Sequence, residues 1–214
     1  MTEPLTHLVR EPRGPGEGTL VLLHGRATDE HDLFGLFDIL DPDQRLRGIT
    51  IGAPLRLPPG GKHWYQILQV GFPDPTTFGP TYAELGRLLD EGLALDWSRT
   101  VIGGFSQGTV MSYALGLGSG RPVPAGILAL SGFIPTVDGW SADLAARANL
   151  PVFIGHGSLD PVISVDFARS ARESLEGAGL DVEYHETPMA HTIDPRVLPD
   201  IQRWLRATLP GAAR

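Results

Sequence analysis

Residues 100–111 read Thr-Val-Ile-Gly-Gly-Phe-Ser-Gln-Gly-Thr-Val-Met. A β-branched apolar run, Thr100 to Ile102, enters this segment, and a helix-compatible run leaves it. Between them stands Gly104-Phe105-Ser106-Gln107-Gly108, a Gly-x-Ser-x-Gly pattern. Such a joint predicts a sharp strand-to-helix turn with Ser106 raised at its apex in a strained backbone conformation. Gly104 and Gly108 carry no Cβ to collide where strand and helix approach. A helix starting near Gln107 directs its free N–H groups and positive dipole end toward the serine, where negative charge is then stabilised.

The rest of the chain repeats the same alternation. Short apolar runs read as strands at residues 19–23, 49–53, 100–105, 125–130, 151–154 and 181–184, with a weaker candidate at 7–10. Between them lie amphipathic stretches. Leu33, Leu36, Phe37 and Leu40 share one face of a helix that Thr28 or Asp29 caps. Helices are also predicted over 82–95, from Gln107 to about Leu117, over 164–177 and over 195–209. Residues 55–80 hold Pro58, Pro59, Gly60, Gly61, Pro73, Pro75 and Pro80 together with Trp64, Tyr65, Phe72 and Phe78, and read as a long irregular segment that packs. Strands alternating with helices imply a mostly parallel central sheet flanked by helices on both faces, in a single domain over 1–214. In such sheets ligands bind beyond the carboxyl ends of the strands. His24, Ser106, Asp160 and His191 all follow predicted strands, so they are expected at one edge.

Composition narrows the chemistry. The net charge is −8 and no basic stripe is present, which argues against a nucleic-acid partner. Cysteine is absent, so there is no disulfide framework, thiolate metal site or cysteine nucleophile. No apolar run is long enough to span a bilayer, and the first eighteen residues lack the apolar core of a leader. The chain is therefore expected to be cytoplasmic.

A serine hydroxyl is a weak nucleophile and needs a base, which in turn needs an orienting acid. Downstream of Ser106 the histidines are His156, His185 and His191. His185 adjoins a predicted strand, and His156 precedes every acid in its own loop. His191 follows a strand and precedes the last helix, and is the candidate base. Asp160, after a strand and a Gly-His-Gly-Ser turn, is the candidate acid, with Asp194 beside the histidine as its rival. Two N–H donors are needed for an oxyanion. Gln107 supplies one, and the loop Leu23-His24-Gly25-Arg26 supplies the other through the backbone of Arg26 or its neighbour, leaving His24 a structural role.

In order along the chain stand Leu22-Leu23-His24-Gly25, Gly52-Ala53-Pro54, Gly60-Gly61-Lys62-His63-Trp64-Tyr65, Gly103 to Gly108, Leu130-Ser131-Gly132 and Gly155-His156-Gly157-x-x-Asp160-Pro161-Val162. From about Leu20 to Leu205 this resembles the phospholipase/carboxylesterase family of α/β-hydrolases, which includes the acyl-protein thioesterases. The resemblance implies an α/β-hydrolase fold and a Ser106–Asp160–His191 triad. It also implies oxyanion positions at Arg26 and Gln107, a carboxylic-ester or thioester hydrolase free of metal and cofactor, and a homodimer as one assembly state. The chain departs from the family pattern at Ala27 and Ala190, where glycine is common, at Thr109, where a second glycine is common, and at Gln66, where Asp is common. Trp64, Phe72, Phe78, Phe133 and Met189 are candidates to line an apolar substrate pocket. Competing readings are a lactone hydrolase, a peptidase and a catalytically silent binding protein. The dienelactone type of lactone hydrolase uses cysteine, and a silent protein predicts a broken triad.

Overall fold

A computed structural model describes residues 4–211; residues 1–3, at the start of the segment read as lacking a leader, and 212–214 lie outside the described residues. In chain order the strands are β1 (Thr6–Arg10), β2 (Thr19–Leu23), β3 (Arg47–Gly52), β4 (Leu55–Arg56), β5 (Lys62–His63), β6 (Ile67–Gln69), β7 (Phe72–Pro73), β8 (Thr100–Phe105), β9 (Gly126–Leu130), β10 (Pro151–Gly157) and β11 (Asp181–Thr187). The helices are α1 (Leu36–Leu40), α2 (Pro75–Arg87), α3 (Gln107–Leu117), α4 (Asp166–Gly177) and α5 (Leu198–Thr208). Seven strands form one sheet in the order β1-β3-β2-β8-β9-β10-β11. Only β1 runs antiparallel, on β3; the remaining pairings are parallel. The chain thus forms the mostly parallel, doubly covered sheet of an α/β-hydrolase.

The inner strands are apolar on both faces because helices cover both. Successive residues of β2 alternate between two cores. Leu20 and Leu22 pack with Phe37, Phe153, Ile201 and Trp204 under α1 and α5. Val21 and Leu23 pack with Met111, Tyr113, Ile127 and Leu175 under α3 and α4. Period-2 alternation of side chains produces this partition. Helix α3 is buried along its whole length, which explains why it lacks charged residues and carries no polar face.

Several boundaries differ from those read in the sequence. The segment 55–80 is not irregular. It forms two small hairpins, β4–β5 and β6–β7, and then the first turn of α2. The helix expected from 82 starts at Pro75, because the Asp74 carboxylate accepts the Thr76 N–H at 3.1 Å and proline is favoured at the first helical position. It carries Pro80 inside, then passes into a π-helical turn at Leu88–Gly92. Thr28 forms an isolated bridge with Lys62, residues 30–35 are turns, and α1 begins only at Leu36, although Leu33, Phe37 and Leu40 are buried as their spacing implied. Strands β10 and β11 run on to Gly157 and Thr187. Among the described residues no helix is long and apolar enough to cross a membrane.

Candidate active site

The Ser106 backbone stands at φ 55° and ψ −119°, between the end of β8 and the start of α3. A non-glycine residue held there costs about 1–3 kcal/mol, so its surroundings must enforce it. The Ser106 N–H donates to the Leu130 carbonyl at 3.0 Å. Strand and helix close so tightly around the turn that glycine is required on either side. A Cβ on Gly104 would lie 2.5 Å from the Gly108 carbonyl carbon, and one on Gly108 would lie 1.9 Å from the Leu23 oxygen. Behind the turn, the Thr109 hydroxyl sits 2.6 Å from both the Gly104 and Leu130 carbonyl oxygens and accepts the Leu130 N–H at 3.0 Å.

Two other strand ends bring their loops to the same place. The His191 Nε2 lies 2.9 Å from Ser106 Oγ, and its Nδ1 lies 2.6 Å from Asp160 Oδ2. Asp160 Oδ1 accepts the N–H groups of Val162 and Ile163 at 2.8 and 2.9 Å. Burial raises the cost of ionising Asp160, but the Ile163 N–H, the His191 imidazole and the Val162 N–H together outweigh it and hold the carboxyl below its usual range. An ionised carboxylate only accepts, so Nδ1 of His191 carries the imidazole proton. The lone pair on Nε2 then faces the serine hydroxyl.

The histidine loop lies directly over the end of β10. A Cβ on Gly157 would come 2.3 Å from the Met189 carbonyl oxygen, and the Leu159 N–H donates to that same oxygen at 3.0 Å. The Phe105 ring packs 4.8 Å from the imidazole. The rival groups have other partners. Asp194 caps the turn at Pro195–Val197 and pairs with Arg196, whose hydrogen bonds hold its carboxyl far below the ordinary range. His185 lies within β11, stacked on Phe153 and bonded to Glu183 at 2.8 Å. His156 is buried beside Asp160, its Nε2 donating to the Ile163 carbonyl at 2.9 Å, and burial lowers its pKa.

Arg26 lies on the loop after β2, and His24 anchors that loop. The His24 Nε2 accepts the Ala53 N–H at 3.0 Å, which leaves the ring proton on Nδ1 to donate to the Gly25 carbonyl at 2.6 Å. Burial holds this imidazole neutral by lowering its pKa. Gly25 lies against the elbow, since a Cβ there would be 3.1 Å from Phe105 and 3.5 Å from Ser106 Cβ. Gln107 opens α3, where the first N–H groups have no intrahelical acceptor. Its side chain accepts the Trp64 N–H at 3.1 Å and donates to the Tyr65 carbonyl at 3.0 Å. Above the serine is a cavity of about 230 Å³ into which Arg26, Ser106, Gln107 and His191 all face, walled by apolar residues that include Phe133.

Residues 6–209 match the phospholipase/carboxylesterase family. The chain belongs to that family. Acyl-protein thioesterase 1 of Gibberella zeae is 34% identical over 76% of this chain and 73% of its own length. Its counterpart in Debaryomyces hansenii is 31% identical over 77% and 73%. Among solved structures, a Bacillus cereus carboxylesterase superposes with a TM-score of 0.83 at 23% identity, over 95% of this chain and 94% of that one. Esterase PE8 superposes at 0.80 with 25% identity, over 97% and 100%.

Positions that depart from the family pattern have a structural setting. Ala27 takes φ 73°, the left-handed region that glycine occupies without strain, and its N–H donates to the Lys62 carbonyl at 2.9 Å. Thr109 spends its hydroxyl on the carbonyls behind the elbow, as described. Of the residues expected to line the pocket, Phe133 does so, but Trp64, Phe72, Phe78 and Met189 do not. Trp64 is fully buried in the core, its indole N–H donating to the His24 carbonyl at 2.8 Å. Phe72 is 47% exposed and lines an adjoining open groove of about 410 Å³ on the other side of Phe133. Met189 contributes its carbonyl to the histidine loop rather than its side chain to the cavity. Phe78 is core, packed on Tyr65 and Tyr82.

The remaining wall was not anticipated: Tyr65, then Ile67, Gln69 and Val70 from the β6–β7 hairpin, and Val162 and Ile163 from the loop after Asp160. The signal for the last two was present. They follow immediately on the Asp160-Pro161 turn already singled out.

Proposed function

We propose that the chain hydrolyses carboxylic esters or thioesters of short-to-medium acyl groups through a covalent acyl-enzyme on Ser106. The observation that carries this reading is the unbroken chain of hydrogen bonds from Ser106 Oγ to His191 Nε2, and from His191 Nδ1 to Asp160, at 2.9 and 2.6 Å. In the first step Oγ attacks the acyl carbon as its proton passes to Nε2. Asp160, kept ionised, stabilises the imidazolium. The oxygen that becomes negative sits between the backbone N–H groups of Gln107 and Arg26. One such donor is worth roughly 3–4 kcal/mol of barrier in a comparable hydrolase. The imidazolium then protonates the departing alkoxide or thiolate. Water repeats the sequence on the acyl-enzyme, its proton going to Nε2 and then to Ser106 Oγ, which releases the acid.

The cavity volume of about 230 Å³ supports a modest acyl group. The names of the thioesterase relatives support extending the reading to thioesters. A fluorophosphonate probe tests the core of the proposal. Wild-type protein is expected to be labelled covalently and Ser106→Ala to be spared. Labelling that survives the substitution, or none in the wild type, would remove Ser106 as nucleophile.

A further inference from the structure

Among the residues facing the cavity above Ser106, one carries a permanent charge. Arg26 lines it together with apolar side chains, Gln69 and the reacting groups, and no Asp or Glu does so. Most arginines among the described residues are engaged. Arg10 pairs with Asp41, Arg121 with Asp90, Arg169 with Glu186, and Arg147 caps backbone carbonyls. Arg26 is exposed, and its guanidinium meets no hydrogen-bond or ion-pair partner among the described residues. The backbone from which it projects is held firmly. His24 and Gly25 fix one side, and the Ala27 N–H bond to Lys62 fixes the other. A cation rooted one residue from the elbow's contact at Gly25, on a mostly apolar wall with no counter-charge, is placed to take an anion brought by the substrate.

We infer that Arg26 selects esters and thioesters that carry a carboxylate close to the scissile carbonyl, so that the preferred substrate class is a small monoanionic ester. A guanidinium offers a planar pair of N–H donors matched to a carboxylate, and charge-assisted bonds of this kind are about twice as strong as neutral ones. This inference rests on the ester-hydrolase reading and narrows its substrate. The carboxylate can belong to the acyl part, as in a half-ester of a dicarboxylic acid, or to the leaving alcohol; the chemistry recognised is the same.

The test compares matched ester pairs. Monomethyl glutarate against methyl pentanoate places the charge on the acyl side. 4-Acetoxybenzoate against its methyl ester places it on the leaving side. For wild type, Arg26→Gln and Arg26→Lys, the quantity read is the ratio of kcat/KM for the anionic ester to that for the neutral one. Intrinsic ester reactivity, and any loss common to both esters through the neighbouring backbone donor, cancels when these ratios are compared between enzymes.

For at least one pair the ratio is expected to fall about tenfold or more in Arg26→Gln and to recover in part in Arg26→Lys. The wild-type ratio should also decline as salt rises, since exposed charges are screened. The pair that responds identifies the side of the ester next to Arg26. Ratios equal within about twofold in all three proteins, for both pairs, would overturn the inference. A uniform loss on charged and neutral esters alike would do the same, because it would make Arg26 a general electrostatic aid. The hydrolase reading is scored separately, by loss of neutral-ester turnover in Ser106→Ala. If wild type turns over neither member of either pair through Ser106, both readings fall.

Discussion

Replacing Asp160 by asparagine keeps the shape of the site and inverts its proton. In the wild type, Oδ1 accepts two backbone N–H groups, from Val162 and Ile163, while Oδ2 accepts the Nδ1 proton of His191. The asparagine carbonyl oxygen must inherit the first position, which leaves the amide NH2 facing Nδ1. The imidazole is then forced to accept at Nδ1 and to carry its proton on Nε2, pointing at the hydroxyl it should deprotonate. Turning the amide around restores the working tautomer but leaves two N–H groups, one buried at Ile163 and one part-buried at Val162, facing an NH2. At about 1–3 kcal/mol for each unmet donor, the penalty is about 2–6 kcal/mol. The productive arrangement is then populated in roughly one molecule in thirty to one in 25,000. Loss of the carboxylate charge opposite the imidazolium adds to this. A fall in kcat on the order of 10³–10⁴ is expected, similar to the effect of the same change in a serine-protease triad. The assay is p-nitrophenyl butyrate turnover normalised to active sites, with a thermal melt to show that the fold persists. A kcat within about tenfold of wild type would refute the tautomer argument and the assignment of Asp160 with it.

Ala27→Gly removes a left-handed alanine from the loop after β2. Relief of about 1–2 kcal/mol, less the extra freedom of the unfolded chain, should raise Tm by a few degrees; an unchanged or lower Tm would contradict the strain. His24 and His156 are buried with pKa values lowered by desolvation. Below the unfolded value of about 6.5, the unfolded chain takes up protons that these folded imidazoles refuse, so stability falls as pH drops, by up to about 1.4 kcal/mol per pH unit for each ring until its folded pKa is reached. Denaturant melts of Ser106→Ala from pH 8 to pH 5 check this, and a flat midpoint would refute it.

Much of the site was legible because its parts obey local rules. Gly104 and Gly108 announce a turn that only glycines can close, and the appearance of Asp160 and His191 just past apolar runs follows from the ligand-binding edge of a parallel sheet. The sequence misled where prolines have two meanings. Pro75 reads as a break, yet behind Asp74 it begins α2. Trp64 reads equally well as a pocket wall or as core. The difference lies in a partner forty residues away, the His24 carbonyl, and no local pattern encodes it. Ile67 and Val70 were missed for the same reason, since β6–β7 meets the cavity only through tertiary packing. The periodicity of Leu33, Phe37 and Leu40 found the buried face correctly, but the turns before Leu36 spend most of that stretch outside a helix.

The ties around Gln107 link the loop after β2 to the start of α3. Its side chain grips the backbone of Trp64 and Tyr65, the Trp64 indole grips the His24 carbonyl, and His24 precedes Gly25 and Arg26. The two backbone N–H groups proposed to bind the oxyanion are thus tied to each other through these side-chain bonds as well as through the pairing of β2 with β8. Ile67, Gln69 and Val70 face the same cavity from outside those ties. Diversity introduced there can remodel what the enzyme admits while leaving the distance between the amides untouched, which makes that hairpin the natural ground for evolving new selectivity.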